Sequence, residues 1–494
     1  MQHAPIEPGS VPTLPRPQGG AVWPAVWSEG SRAWHVAVSP HDEQAWARFP
    51  LADEADVAAA VARGRADFDA RWGDDRDRAE RLAILARLTD AVAARHEDLA
   101  QAISREIGAP IDFARARHVT AALDHLRATL DAARAVEDDA TPWGAPQHRV
   151  RHEPVGVAAL ITPWNWPLNQ VALKVGAALA AGVSMILKPS EYASASALIF
   201  AECMAHAGAG AGRFQVVLGD GAVGAALVAA PGVDLISFTG STAVGRKIAQ
   251  TAATDFKRTN LELGGKSANI LFADCDLDLA LTQGLAHCFR NTGQSCNAAA
   301  RMLVERPIYE AAKNRVAEIA QTYALGAPDA PGSHLGPLVN AAQFDRVQAA
   351  IRKGLDEGAH LISGGPGRPE SIARGFYPRP TVFADVTAEM TLFHHEIFGP
   401  VLTMTPFDTE EEAIALANAT DYGLAAYLQT ADPARADRVA RRLQAGMIQV
   451  NGSSRAPGAP FGGRRQSGWG REAGVWGIRA FQDIKSISGA ARIG

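Results

Sequence analysis

This 494-residue sequence predicts an α/β fold built on a doubly wound parallel sheet, and three observations predict it. The hydrophobic period changes near residue 155. From there short apolar runs alternate with helical stretches, and glycine-bearing turns follow two of the runs. Strand, helix, strand in that rhythm calls for parallel strands joined by right-handed crossovers.

Residues 1–30 form a Pro/Gly-rich lead, expected to drape over another surface or to move freely. Residues 53–134 are alanine-rich and amphipathic, with Val57, Val61, Phe68 and Trp72 on one stripe and Leu82, Leu85, Leu88 and Val92 on another. That spacing predicts helices. Residues 141–153, with Pro142, Gly144 and Pro146, read as an extended excursion or hairpin. Buried strands are expected at 155–161, 183–187, 214–218 and 233–238, with helices at 168–181, 193–207, 222–229 and 242–253. A second α/β set follows, with strands at 268–272 and 301–304, a helix at 309–325 and further elements to about 451. No internal repeat or low-complexity tract interrupts it.

The chain is too long for one core and suggests about three units. A hydrophobic content of 47% with 20% charged residues supports large cores rather than long disorder. The formal charge of -5 supplies no basic surface, so neither nucleic acid nor an anionic membrane is expected as a partner. Four cysteines without a Cys-x-x-Cys or paired-histidine spacing fit neither a disulfide framework nor a zinc site, and no metal is expected. The most apolar stretch, 171–187, is interrupted by Lys174, Gly176 and Gly182 and is too short to cross a bilayer. The start lacks a basic-then-apolar leader pattern, and a cytoplasmic enzyme with a free thiol is expected.

The chemistry points to Cys296. Cys203, Cys275 and Cys288 sit in regular segments and read as small buried hydrophobes. Cys296 instead lies in Asn291-Thr292-Gly293-Gln294-Ser295-Cys296-Asn297, among polar neighbours and beside a glycine that permits unusual backbone geometry. Upstream, Glu262-Leu263-Gly264-Gly265-Lys266 offers an acid able to activate water. A thiolate that attacks a carbonyl, with a carboxylate to release the product, is acyl chemistry.

Two glycine patterns need care. Gly219-Asp220-Gly221-Ala222-Val223-Gly224 matches a dinucleotide fingerprint, but no acidic residue ends the next strand, since Asp234 begins it and Phe238 ends it. Gly240 and Gly245 have P-loop spacing, yet Arg246-Lys247 follows where Lys then Ser or Thr is required. Phe238-Thr239-Gly240-Ser241 still ends a strand and opens a helix, which would aim free amides and the Ser241 hydroxyl at a pyrophosphate. Lys188-Pro189-Ser190-Glu191 closes another strand at the same sheet edge, where Glu191 or Lys188 would bind ribose hydroxyls. Together they favour a dinucleotide.

With Thr162-Pro163-Trp164-Asn165-Trp166-Pro167, Glu396-Ile397-Phe398-Gly399-Pro400 and Pro460-Phe461-Gly462-Gly463 added in this order, the chain resembles the aldehyde dehydrogenase superfamily from about residue 39 to 485. The resemblance implies that Cys296 attacks the aldehyde carbon, that the Asn165 amide and the Cys296 backbone amide hold the oxyanion, and that Glu262 activates the hydrolytic water. Lys174 and Glu472 match proton-relay positions, with a structural ion pair as the alternative. It implies a cofactor surface of Ile161, Thr162, Pro163, Trp164, Lys188, Ser190, Glu191, Gly221, Phe238, Gly240, Ser241, Val244, Leu263, Glu396 and Phe398. NAD is expected over NADP, because an acid at the adenosine ribose repels a 2′-phosphate. NADP stays possible through Lys188.

The resemblance further implies a dinucleotide-binding domain over 31–137 and 156–263, a catalytic domain over 264–455, a return to the first over 456–479, and oligomerisation strands at 138–155 and 480–494. Those strands would pair across subunits in a homodimer or homotetramer. Departures are Ser39-Pro40 for Asn-Pro, Arg464-Arg465 after Gly463, and the unmatched first 30 residues. Trp164, Trp166, Ser295, Asn297 and Phe461 fall around the substrate, and their aromatic rings favour an apolar or aromatic aldehyde. Arg290 would instead clamp the carboxylate of a semialdehyde, or else be structurally paired. Three other readings compete: a thiol hydrolase using His287 or His394, a catalytically silent binding protein, and a CoA-acylating enzyme, which commonly lacks the glutamate found at 262.

Overall fold

The computed structural model describes residues 11–23, 27, 32–74, 77–142, 144–145 and 147–489. Two seven-stranded sheets organise it. In the first the order is Ala21–Trp23, Phe214–Val217, Ser184–Pro189, Val157–Thr162, Leu235–Thr239, Arg258–Glu262 and Gly468–Trp469, all parallel but the last. Both faces of this sheet are covered, and so its strands are apolar throughout rather than alternating. Ala158 and Leu160 pack into one cluster with the helices Asp77–Ala94, Thr120–Ala135 and Pro167–Ala181. Val157, Ala159 and Ile161 pack on the other side under Glu54–Arg71, Gly221–Ala229 and Thr242–Thr254.

The helix ends follow local chemistry. Asp53 and Asp56 form a reciprocal capping box at the start of Glu54–Arg71. Helix Pro167–Ala181 starts on the proline whose missing N–H costs nothing there, and it stops at Gly182 in the left-handed region. The stripe expected to include Trp72 ends one residue early: Trp72 leaves helical geometry, is 50% exposed and packs on Phe68 at 5.2 Å. Leu82 is also only half-buried, because the buried face of its helix runs through Ile84, Leu85, Leu88 and Val92.

The second sheet runs His360–Ser363, Thr381–Ala384, Val401–Phe407, Arg301–Glu305, Ala268–Leu271, Ala425–Gln429 and Met447–Val450, parallel except at the His360–Ser363 edge. The helix expected at 309–325 is Arg306–Gln321, displaced by Pro307 in its first turn.

One expectation changes. The Pro/Gly lead is partly sheet: Ala21–Trp23 pairs in parallel with Phe214–Val217, while 1–10, 24–26 and 28–31 lie outside the described residues. The strands expected to serve oligomerisation form a small sheet of their own within the chain. His148–Pro154 lies between Asp139–Ala140 and Gln482–Ser488, antiparallel to both, and residues 490–494 lie outside the described set. Among the described residues no helix is long and apolar enough to cross a membrane.

A buried ion network clamps the first helices to the sheet. Asp77 accepts from Arg213 at 2.6 Å, from Arg71 at 3.1 Å and from Arg81 at 3.0 Å. Removing Asp77 takes the shared acid from three guanidinium groups, leaving Arg71 with Asp67, Arg81 with Asp138 and Arg213 with only the more distant Glu80. Asp77→Ala is expected to destabilise the protein by about 3–5 kcal/mol, read as a lowered midpoint in thermal unfolding; an unchanged midpoint contradicts the network's role.

Candidate active site

The chain reverses direction across the first sheet beside Val157–Thr162. It winds outward to Ser184–Pro189 and Phe214–Val217, then returns to Leu235–Thr239 on the other side. Crevices at such switch points, beyond the carboxyl ends of the strands, are where ligands bind in open α/β sheets. Thr162, Pro163, Trp164 and Asn165 leave one strand there and Gly240 and Ser241 leave the other. Ser241 caps helix Thr242–Thr254 by accepting from the Val244 amide at 3.4 Å, and the Gly240 amide donates to the Glu262 carbonyl at 3.0 Å. Neither group is therefore as free as the sequence suggests. What remains for an anion is the positive first turn of the helix. A side chain at Gly240 would strike the Phe238 ring, and one at Gly245 would strike Leu263, so both glycines are needed for close packing.

At the next strand end, Lys188 is buried with its ammonium donating to the Pro189 carbonyl at 2.9 Å. Burial lowers the Lys188 pKa, while Glu191 and Asp220 oppose that shift. Ser190 caps the following turn by accepting from Tyr192 and donates to Glu191. Gly221 opens helix Gly221–Ala229 behind its cap Asp220, and Gly224 packs on the Lys188 stem. Sequence reading missed His35 here. Its ring meets Tyr192 edge-on at 5.8 Å and feels Glu191, Asp220 and Lys188, but a lone histidine on a distant N-terminal strand carries no motif.

The Cys296 loop rests on unusual backbone. Asn291, Thr292 and Gly293 all have positive φ, at 53°, 54° and 73°. At Gly293 any side chain would collide with the Gly399-Pro400 backbone, so the segment from Glu396 to Pro400 can lie directly on the loop. Gln343 holds that segment by donating to the Phe398 carbonyl at 2.8 Å, and Phe398 meets Trp164 edge-on at 5.5 Å. Asn165 donates to the Gln294 carbonyl at 3.0 Å, and Asn291 donates to the Asn165 carbonyl at 2.7 Å. Trp166 donates to the Ser295 hydroxyl at 2.9 Å, and the Asn297 carbonyl accepts from Tyr427 at 2.8 Å. Asn165, Trp166, Ser295 and Asn297 thus converge on Cys296 from two sheets.

Burial, then the acidic groups of Glu396 and Glu262, push the Cys296 thiol well up, and a bond from the Asn297 amide only partly offsets this. Burial and the neighbouring acids therefore disfavour the thiolate at rest. Glu262 is 1% exposed and neither carboxyl oxygen has a partner among the described residues. Desolvation first, and Glu472 second, hold its carboxyl well above the ordinary range. Glu396 accepts from the Gly265 amide at 3.1 Å and is pushed up to about 7, mainly by burial.

Lys174 and Glu472 form a buried pair at 2.5 Å, with Lys174 also donating to Ser237 at 3.0 Å. Two backbone bonds couple Glu472 to Phe461, and Gly462 lets that segment reach the Glu262 carboxyl. Arg290 has no carboxylate partner among the described residues; Arg117 lies near enough to join burial in lowering its pKa. Arg455 lies over the Phe461 ring at 5.3 Å. The histidines of the hydrolase reading are occupied elsewhere. His287 accepts from the Ala299 amide and burial drops it to about 3, and His394 bonds the Ala388 carbonyl. Sequence reading also missed Lys266, whose buried ammonium has no partner among the described residues and falls to about 7 through burial.

Fold and cleft define a two-sheet α/β protein with a reactive-loop cysteine beside a dinucleotide-type crevice. The sequence profile of the aldehyde dehydrogenase family matches residues 27–487, and the chain belongs to that family. A 3-succinoylsemialdehyde-pyridine dehydrogenase from Pseudomonas sp is 42% identical over 463 residues, covering 93% of this chain and 96% of the relative. The crystal structure of an aldehyde dehydrogenase from Bartonella henselae superimposes with a TM-score of 0.93 at 42% identity, covering 97% of this chain and 99% of that one. Aldehyde dehydrogenase C from Pseudomonas syringae, a cysteine-to-alanine variant solved with NAD+ and octanal, gives 0.92 at 42% identity over 100% of both chains.

Because the folded state holds the Glu262 proton more tightly than the unfolded chain, stability contributed by this group is lost as pH rises above the unfolded carboxyl value. Glu262→Gln removes that penalty. Its melting temperature is expected to exceed the wild type's by more at about pH 8 than at about pH 5; an equal gap at both values contradicts the raised carboxyl.

Proposed function

We propose that this chain oxidises an aldehyde to a carboxylic acid with NAD, using Cys296 as nucleophile and Glu262 as base. The observation that carries the reading is Glu262: a buried carboxyl with no hydrogen-bond partner, kept neutral within electrostatic reach of the Cys296 sulfur. Such a group costs stability and is retained where it works.

The residues suit the dinucleotide. The first turn of Thr242–Thr254 would face its pyrophosphate, Lys188 and Glu191 its adenosine ribose, and Glu396 its second ribose, with Ile161, Thr162, Pro163, Trp164, Leu263 and Phe398 around it. Acidic Glu191 and Asp220 flanking Lys188 favour NAD over NADP. When bound, NAD accepts the hydride that leaves the aldehyde carbon.

In this reading filling of the cleft drives the resting Glu262 proton out through the Glu472–Lys174 pair; Cys296 then gives up its proton to the ionised Glu262 and bonds to the aldehyde carbon, forming a thiohemiacetal. The Asn165 amide and the Cys296 backbone amide hold its oxyanion; donors of this kind are worth about 2.7–4 kcal/mol each. Loss of the hydride leaves a thioester on Cys296. Glu262 hands the thiol proton on and, ionised again, takes a proton from water; hydroxide adds to the thioester carbon, and the sulfur departs as the acid is released. The Glu472–Lys174 pair passes the collected proton outward. With Glu262 in place, water is the acceptor rather than CoA.

We assign the cofactor domain to 31–137, 156–263 and 456–479 and the catalytic domain to 264–455. A homodimer or homotetramer is the assembly we propose, through the edge strand Gln482–Ser488, where Ile484 is 68% exposed. Cys296→Ala is expected to abolish NADH formation with any aldehyde, and Glu262→Gln to stop turnover after one acylation. Substantial steady turnover in either variant refutes the assignment.

A second reading of the substrate has its own observation. Arg290 has no carboxylate partner among the described residues, and burial and then Arg117 lower its pKa, which suits a carboxylate-bearing aldehyde. Under it, Arg290→Gln lowers kcat/KM for succinic semialdehyde by about tenfold to a hundredfold and leaves hexanal within about twofold. Equal losses for both compounds reject the clamp.

A further inference from the structure

His118 is 0% exposed, lies in the π-helical turn Ala114–Val119, and has the Asn291 side chain of the Cys296 loop close to its ring. π-turns disturb the helix register and are commonly kept where a side chain must be aimed. Here the aim is Trp166. The His118 imidazole stacks on the Trp166 ring at 4.3 Å with an interplanar angle of 26°, and Phe113 leans on both, at 5.4 Å from His118 and 5.8 Å from Trp166. The Trp166 N–H points out of this aromatic packing and donates to the Ser295 hydroxyl at 2.9 Å.

Ser295 supplies the carbonyl half of the peptide whose N–H belongs to Cys296. A trans peptide is planar, so fixing its carbonyl fixes the opposite N–H. The Ser295 carbonyl accepts from the Ala298 amide at 3.0 Å, and the preceding Gln294 carbonyl accepts from Asn165. The side chain of Ser295 is the remaining handle on that peptide, and the Trp166 N–H holds it.

We propose that Trp166, braced by His118 and Phe113, is a positioning residue that fixes the Ser295 hydroxyl and thereby orients the Cys296 backbone amide toward the developing oxyanion. The inference rests on the assignment of Cys296 as nucleophile. It adds a fixed-donor function to a ring that composition assigns only to packing. A phenylalanine would fill the same wall of the pocket but could not make the bond.

The test uses two reagents on the full-length protein without cofactor. In the first, 4-nitrophenyl acetate acylates Cys296: a C–S bond forms at the ester carbonyl, the acyl C–O bond breaks, 4-nitrophenolate leaves, and the thiol proton passes to solvent. That step develops an oxyanion. In the second, iodoacetamide alkylates the same sulfur by displacing iodide at a saturated carbon, and no oxyanion forms.

Trp166→Phe is expected to slow acylation about tenfold while alkylation stays within about twofold. Ser295→Ala is expected to slow acylation similarly, and the double variant to be no slower than either single one, as required for two ends of one bond. His118→Ala should slow acylation in the same way, and His118→Phe, which restores a ring, should recover it. Acylation and alkylation falling together in Trp166→Phe, additive losses in the double variant, or no recovery in His118→Phe would each overturn the proposal. If mass spectrometry finds the label on a residue other than Cys296 in the wild type, the nucleophile assignment itself fails.

Discussion

Everything in the cleft depends on how closely two chain segments approach the end of strand Arg258–Glu262. Gly264 and Gly265 follow it directly. A side chain at Gly264 would occupy the position of the Glu396 carboxyl, and one at Gly265 would strike the Cys296 carbonyl at 2.5 Å. The bare backbone lets an acid from one loop and the cysteine from another meet the strand that carries Glu262. Gly293 and Gly462 repeat the device, the first against the Gly399-Pro400 backbone and the second against Glu262 itself. Four glycines without side chains hold four segments at contact distance, and each is irreplaceable for a steric reason rather than for flexibility.

Desolvation governs the charge state of what is gathered there. Burial is the leading cause of the raised values at Cys296, Glu262 and Glu396, and the acids then reinforce one another. A cleft that kept three ionised groups dry would be prohibitively costly. Burial therefore favours the neutral forms of these groups, while Lys174 and Glu472 meet as a buried ion pair. Ionising the thiol or the base requires a change in surroundings, which links reactivity to filling of the cleft and to rising pH.

Arg117 and Arg290 lie unpaired among the described residues, whereas Trp166, Phe113 and His118 form a packed tray under the catalytic loop. The first feature bears on which aldehyde enters. The second bears on how rigidly the attacked carbonyl is received.

Much of this was legible in the sequence, because backbone chemistry is local. The alternation of apolar runs and helices beyond residue 155 specified the parallel sheet, and the strand ends at Thr162, Pro189 and Thr239 fell within two residues of their expected places. The motif order around Asn165, Glu262, Cys296 and Glu396 marked the residues that converge. Tertiary structure alone decided the rest. Burial and the sequence-distant Glu396 and Glu262 disfavour the thiolate that the polar neighbours suggested. The N-terminal lead contributes a strand, because a vacant sheet edge at Phe214–Val217 lay nearly 200 positions away. His35, His118, Lys266 and Arg117 carried no spacing signal at all. Sequence distributes residue types along one dimension, while dielectric and contact belong to three, and those properties appear only when the chain has closed on itself.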